Sequence, residues 1–191
     1  MDLEYWKGRY KAGQNYDTMT GWCKDTIIDE TANLSIAIMD FLGQNVWHKV
    51  FDYGCGRGRF FPMFDMLKLD YVGTDILKEI IDENRKTYPN IQFKYIEEYT
   101  KKDMDNLVFM FTVFQYFTDE EADYYLGCEF EQSKDIFICE SLKGDNDIIR
   151  SHEHNRKPDV LKELCIKNGW KINKEMYFNS RENYYFLWLK K

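Results

Sequence analysis

Apolar residues in this chain follow two rhythms, and the switch between them lays out its elements. Over 26–42, Ile27, Leu34, Ile38 and Leu42 recur at multiples of three to four positions, with Gly43 as a stop. This predicts an amphipathic helix lying against a sheet. From Val50 onward, short apolar runs alternate with helical stretches, the pattern of βαβ units and a largely parallel sheet. Strands are expected over 49–53, 71–74, 91–96, 107–113 and 135–139, and helices over 60–67, 77–88, 118–127 and 158–168. Pro62 suits a first helical turn, where its missing N–H is not needed, and Pro89 stops the second helix. Thr118 and Glu121 have the spacing of a capping box, and Gly169 ends the last helix. The tail reads differently: 170–178 and 184–189 are β-rich and separated only by Asn179-Ser180-Arg181-Glu182. Strands that close together in sequence pair antiparallel. The segment 5–22, dense in aromatics and glycine but without a steady period, predicts an irregular or short-helical cap.

Composition narrows the reading. The chain has 191 residues, 44% of them hydrophobic, and no Ser/Gly-rich linker, so one domain over 1–191 is expected, with 1–45 as an N-terminal aromatic cap and helix. No apolar run approaches the roughly 18–20 residues that span a bilayer, so no membrane partner is expected. The start Met1-Asp2-Leu3-Glu4 lacks a basic-then-apolar pattern, which makes the cytoplasm the expected compartment. A net charge of -7 disfavours tight non-specific binding of nucleic acid. The five cysteines contain no Cys-x-x-Cys pair and are expected to be reduced core thiols.

The loop after the first strand, Gly54-Cys55-Gly56-Arg57-Gly58-Arg59-Phe60, joins a strand to a helix. Its glycines let a ligand approach the main chain, and a site at this end of a parallel sheet is expected. Asp75 lies 23 residues beyond Asp52, near the ribose-binding distance of a dinucleotide fold. The glycine spacing argues otherwise, because the third glycine of Gly-x-Gly-x-x-Gly would fall at Arg59. No Gly-Lys-Ser/Thr of a Walker loop follows either.

Phe51-Asp52-Tyr53-Gly54-Cys55-Gly56-Arg57-Gly58 resembles the first motif of class I S-adenosylmethionine-dependent methyltransferases. The resemblance extends over roughly 50–191, with an acid ending the second strand, an acid after the third and a β-rich hairpin at the end. It implies an α/β, Rossmann-like fold: a seven-stranded, mostly parallel sheet with an antiparallel C-terminal hairpin strand and helices on both faces. It implies S-adenosyl-L-methionine as cofactor, bound by Asp52, Gly54, Cys55, Gly56, Gly58, Asp75, Ile76, Glu97, Phe111 and Thr112. Asp75 matches the acid that accepts hydrogen bonds from the ribose hydroxyls, and Glu97 stands beside the adenine, where the family more often has Asp. Phe111 and Thr112 belong to the stretch lining the methionine end.

The implied activity is methyl transfer by in-line displacement to an O, N or S atom of a small molecule. No Asn/Asp-Pro-Pro-Tyr tetrad and no Pro-Cys dipeptide occurs, which disfavours DNA bases as acceptors. Protein or RNA acceptors, and a non-catalytic subunit that only binds the cofactor, stand as alternatives. Candidate catalytic groups are His152 and His154, since an imidazole can accept a proton, and Tyr116 at the end of the fourth strand. The Ser151–Arg156 segment suits a solvated polar loop equally well. Glu140, ending the fifth strand, is a further group within reach of a substrate. No metal site is expected, since nothing upstream completes a ligand shell around His152, Glu153 and His154. Trp6, Tyr10, Tyr16 and Trp22 are candidates for an aromatic cover over the cofactor.

Overall fold

A computed structural model describes residues 3–11, 24–43, 47–142 and 153–191. Seven strands form one sheet: β1 (Lys49–Tyr53), β2 (Asp70–Asp75), β3 (Gln92–Tyr95), β4 (Leu107–Phe111), β5 (Asp135–Leu142), β6 (Lys171–Asn179) and β7 (Asn183–Lys190). Their order is β3-β2-β1-β4-β5-β7-β6. The first five pair parallel, whereas β7 runs antiparallel to both β5 and β6. The expected architecture is therefore the observed one.

Side chains alternate between two cores. Phe51 and Tyr53 of β1, Val108 and Met110 of β4, and Ile136 and Ile138 of β5 face one of them. There they meet Ala122 of α5 (Asp119–Tyr124) and Leu161 and Cys165 of α6 (Pro158–Lys167). Val50, Leu107, Phe109, Phe137 and Cys139 face the other. That core is closed by Leu34, Ile38 and Phe41 of α2 (Lys24–Leu42), Met63 and Phe64 of α3 (Phe61–Met66), and Ile81 of α4 (Lys78–Thr87). Strands covered on both faces read as nearly continuous apolar runs, which is why β4 stands out in the sequence. Each large side chain buried this way is worth roughly 1.5–3 kcal/mol.

Several boundaries differ from the sequence reading, each for a local reason. β4 stops at Phe111 rather than running to 113, because Thr112 turns to φ +53°. The capping box is present: Thr118 Oγ1 accepts from Glu121 N at 3.2 Å, and Glu121 Oε2 accepts from Thr118 N at 2.9 Å. The helix it starts ends early, giving way to a π-turn over Tyr125–Glu129. A 3₁₀ turn over Lys101–Met104, begun by a second capping box of Thr100 and Asp103, was not anticipated. Part of the expected cap is a regular helix, α1 (Leu3–Lys11). Tyr16, Trp22 and Cys23 lie outside the described residues. Cys55, Cys139 and Cys165 are buried free thiols, but Cys128 is exposed, which corrects the expectation that all were core residues. Among the described residues, no helix is long and apolar enough to cross a membrane.

Candidate functional site

A cavity opens at the carboxyl ends of β1, β2 and β4, where open parallel sheets take their ligands. Its floor is the loop after β1. Gly54 N and Cys55 N both donate to Thr74 O at 2.8 Å, which binds the start of the loop to the end of β2. Gly54 adopts φ +77°, and a Cβ built there would sit 2.4 Å from Val113 Cγ2. Only glycine satisfies both demands. Gly56 follows at φ +53°, and its N–H donates to Asp75 Oδ2 at 3.0 Å.

Asp75 ends β2 and is almost fully buried. Its Oδ1 accepts from Leu77 N at 2.9 Å, so the carboxylate is fixed by backbone on both oxygens. Beneath it, Asp52 is 2% exposed and accepts a 2.7 Å hydrogen bond from Tyr71 Oη. Burial pushes its carboxyl up to about 7, against the Tyr71 bond and helped by the negative charge of Asp75. The Cys55 thiol is pushed well above its ordinary value, by burial first and by those two acids second. It is a wall residue rather than a nucleophile.

The opposite wall is aromatic. Trp6 of α1, 4% exposed, lines the cavity and packs edge to face on Tyr116, with ring centroids 4.8 Å apart. α1 is held there by Tyr10, whose Oη donates to Glu83 Oε1 of α4 at 2.6 Å. Arg57 of the glycine loop pairs with the same Glu83. Phe60, Phe111, Thr112 and Val113 complete this side. The Arg59 guanidinium lies 5.2 Å and 5.1 Å from the Phe60 and Phe111 ring centroids, and its Nε donates to Thr31 Oγ1 at 2.6 Å, tying α2 to the rim. Burial raises the Tyr116 phenol above its ordinary value, so it remains a neutral hydroxyl.

Of the candidate site residues, Asp52, Gly54, Cys55, Gly56, Asp75, Ile76, Phe111, Thr112 and Tyr116 come together around this cavity. Gly58 stands off its wall. At φ +73° it packs where a Cβ would meet Phe93 Cζ at 3.2 Å, so its place is under the loop. Glu97 is exposed and off the wall, and the adjoining Ile96 reaches the cavity instead. Glu98 is engaged with Arg85 and with Tyr95 N. His154 lines a separate recess of about 230 Å³ with Glu140, Gln115, Asn155 and Arg156. His152 lies outside the described residues. Among the described residues, no three His, Cys, Asp or Glu side chains gather as metal ligands.

Sequence reasoning named Thr112 and Glu140, the latter as within reach of a substrate although it lines the separate recess rather than the cavity, and did not foresee three features. Thr112 carries a positive φ, a strained state for a β-branched residue. Glu140 accepts hydrogen bonds from Phe114 N and Gln115 N, both at 3.1 Å. Burial pushes its carboxyl up to about 8, outweighing those two N–H groups and the nearby Arg156 charge. Arg156 donates to Phe117 O at 2.8 Å and to Asp119 Oδ1 at 2.7 Å. No local pattern announces any of the three, because each partner is distant in the chain.

No family model and no curated protein matches the sequence. Solved structures do match the fold. A SAM-dependent methyltransferase from Leishmania major is 16% identical, with a TM-score of 0.71 over 98% of this chain and 81% of that one. Magnesium protoporphyrin IX methyltransferase from Synechocystis PCC 6803, solved with bound SAH, is 15% identical, with a TM-score of 0.67 over 99% and 94%. A SAM-dependent methyltransferase from Archaeoglobus fulgidus is 17% identical, with a TM-score of 0.62 over 86% and 94%. The strand order, the antiparallel β7 and these likenesses together establish that the chain has the class I methyltransferase fold.

Proposed function

We propose that this protein is an S-adenosyl-L-methionine-dependent methyltransferase acting on a small molecule, organised as one domain over 1–191. The observation that carries the reading is the pinned carboxylate of Asp75 facing the same cavity as the glycine-loop backbone. A carboxylate held at a fixed angle, with two acceptor oxygens, suits a vicinal diol such as a ribose. The Gly54–Gly56 main chain admits a ligand close to the end of β1. Ile76 and Ile96 offer apolar flanks for a planar base.

When bound, the cofactor supplies a methyl group on a positively charged sulfur. Trp6, Phe111 and Tyr116 then act by exclusion and alignment. They keep water from the cavity and hold the acceptor in line, which alone supplies much of the rate in a displacement of this kind. Their faces also favour a cation. The acids on the cavity wall, Asp52 and Asp75, are engaged with Tyr71 and with backbone N–H groups. In this reading the chain contributes positioning rather than a dedicated base, and the acceptor is one that loses its proton readily or has none to lose.

Calorimetric titration with S-adenosylmethionine and its demethylated product tests the reading. Wild-type protein is expected to bind both at micromolar concentration. Asp75→Ala is expected to weaken binding roughly 100-fold, the size of two lost hydrogen bonds to a charged group. Folded wild-type protein that binds neither would overturn the cofactor assignment. Binding without turnover across a panel of amine, hydroxyl, thiol and carboxylate acceptors would assign a non-catalytic subunit instead.

A further inference from the structure

The turn after β4, Val113 to Phe117, forms part of the cavity through Val113 and Tyr116, yet none of its anchors lies in the cavity. Glu140, 7% exposed at the end of β5, accepts the N–H groups of Phe114 and Gln115, one on each carboxylate oxygen. His154 N donates to Gln115 O at 2.6 Å. Arg156 donates to Phe117 O and stacks over the Phe114 ring at 5.5 Å. The turn is thus held by its main chain, from the acid on one side and from the 153–156 segment on the other. Its position decides two contacts at the cavity: Val113 fills the space that glycine leaves at position 54, and the Tyr116 ring meets Trp6 of α1.

We propose that Glu140 is a positioning residue of the site: by gripping the Phe114 and Gln115 amides it sets Tyr116 against Trp6, and so shapes the acceptor side of the cavity without touching the acceptor. Arg156 serves the same end from the carbonyl side. Its consequence for methyl transfer rests on the activity proposed above, whereas the mechanical coupling does not. Two acceptor oxygens are required, and the acid supplies them with or without its proton, since a carboxylic O–H keeps an acceptor lone pair, whereas a glutamine at this position would present an NH₂ donor to one of the two amides. A lysine at position 156 would supply charge without the planar fork that reaches several oxygens at once.

The test is hydrogen exchange of the ligand-free protein, comparing wild type, Glu140→Gln and Arg156→Lys, with thermal melting and S-adenosylmethionine calorimetry alongside. Exchange is expected to accelerate about tenfold or more in both 112–117 and α1, with the rest of the sheet unchanged. Cofactor affinity should fall together with that local loosening while the melting temperature stays within a few degrees. Should Glu140→Gln fail to fold, Arg156→Lys carries the same expectation. Acceleration confined to 112–117, or spread evenly over the whole sheet, would overturn the coupling. If wild type binds no S-adenosylmethionine but the paired acceleration appears, the positioning role stands and the cofactor assignment fails.

Discussion

The loop after β1 and the turn after β4 sit side by side at the carboxyl end of the sheet, and they solve one problem in opposite ways. Each must leave its strand sharply, with a residue at positive φ, to make room for a ligand. The first loop does so with glycines at 54, 56 and 58, all between +53° and +77°. Its conformation is written into the residues themselves. The second places Thr112 at φ +53°, where a β-branched side chain is costly, of order 1–3 kcal/mol. It holds that state with distant partners: Thr112 N donates to Cys139 O at 2.7 Å, and Glu140 and Arg156 grip the residues that follow. The two meet where Val113 packs over Gly54. One wall of the cavity is therefore set by local conformational freedom, and the other by tertiary restraint.

The contrast breaks most severely at Gly54. Gly54→Ala adds both left-handed strain and a clash with Val113, so a loss of about 3 kcal/mol or more is expected in urea denaturation, together with loss of cofactor binding. A second break uses the buried acid beneath the glycine loop. Asp52 is neutral in the folded protein up to about pH 7 but ionises near pH 4 when unfolded. Its contribution to stability is complete below pH 4, declines as pH rises towards 7 and is flat beyond. Asp52→Asn should flatten that decline, so wild type loses about 3 kcal/mol relative to the variant between pH 5 and 8. Equal pH profiles for the two proteins would remove the claim.

The smallest effect sharpens the comparison rather than breaking it. Thr112→Gly makes the second turn resemble the first, relieving strain while freeing the unfolded chain. The two opposing contributions should leave a net stabilisation of about 1 kcal/mol or less in the same denaturation assay. If the threonine is instead the more stable by a clear margin, its side chain is contributing packing that outweighs the backbone cost.

Much of this was legible beforehand, and the reason differs by region. The seven strands and their βαβ rhythm follow from short-range periodicity, because burial on two faces demands runs of apolar residues such as Leu107 to Phe111. Asp75 was legible because it ends the second strand 23 residues beyond Asp52, the position of the ribose acid in the family that the glycine loop resembles. Glu97 shows the limit of spacing alone: the chain leaves β3 with Ile96 turned to the cavity and Glu97 to solvent, a rotation that sequence spacing does not resolve. Gly58 is alike in sequence to Gly54 but packs against Phe93 rather than lining the cavity.

By itself, then, the sequence determined the strands and helices, their order along the chain and the glycine-lined floor of the site, since these rest on local propensity and on residues close together in the chain. Tertiary structure alone decided the aromatic wall and the acid that sets it. Trp6 is 110 residues from Tyr116 and Glu140 is 26 from Phe114. Whether such side chains meet depends on how whole elements pack, and a buried carboxyl takes its role from whichever N–H groups that packing brings to it.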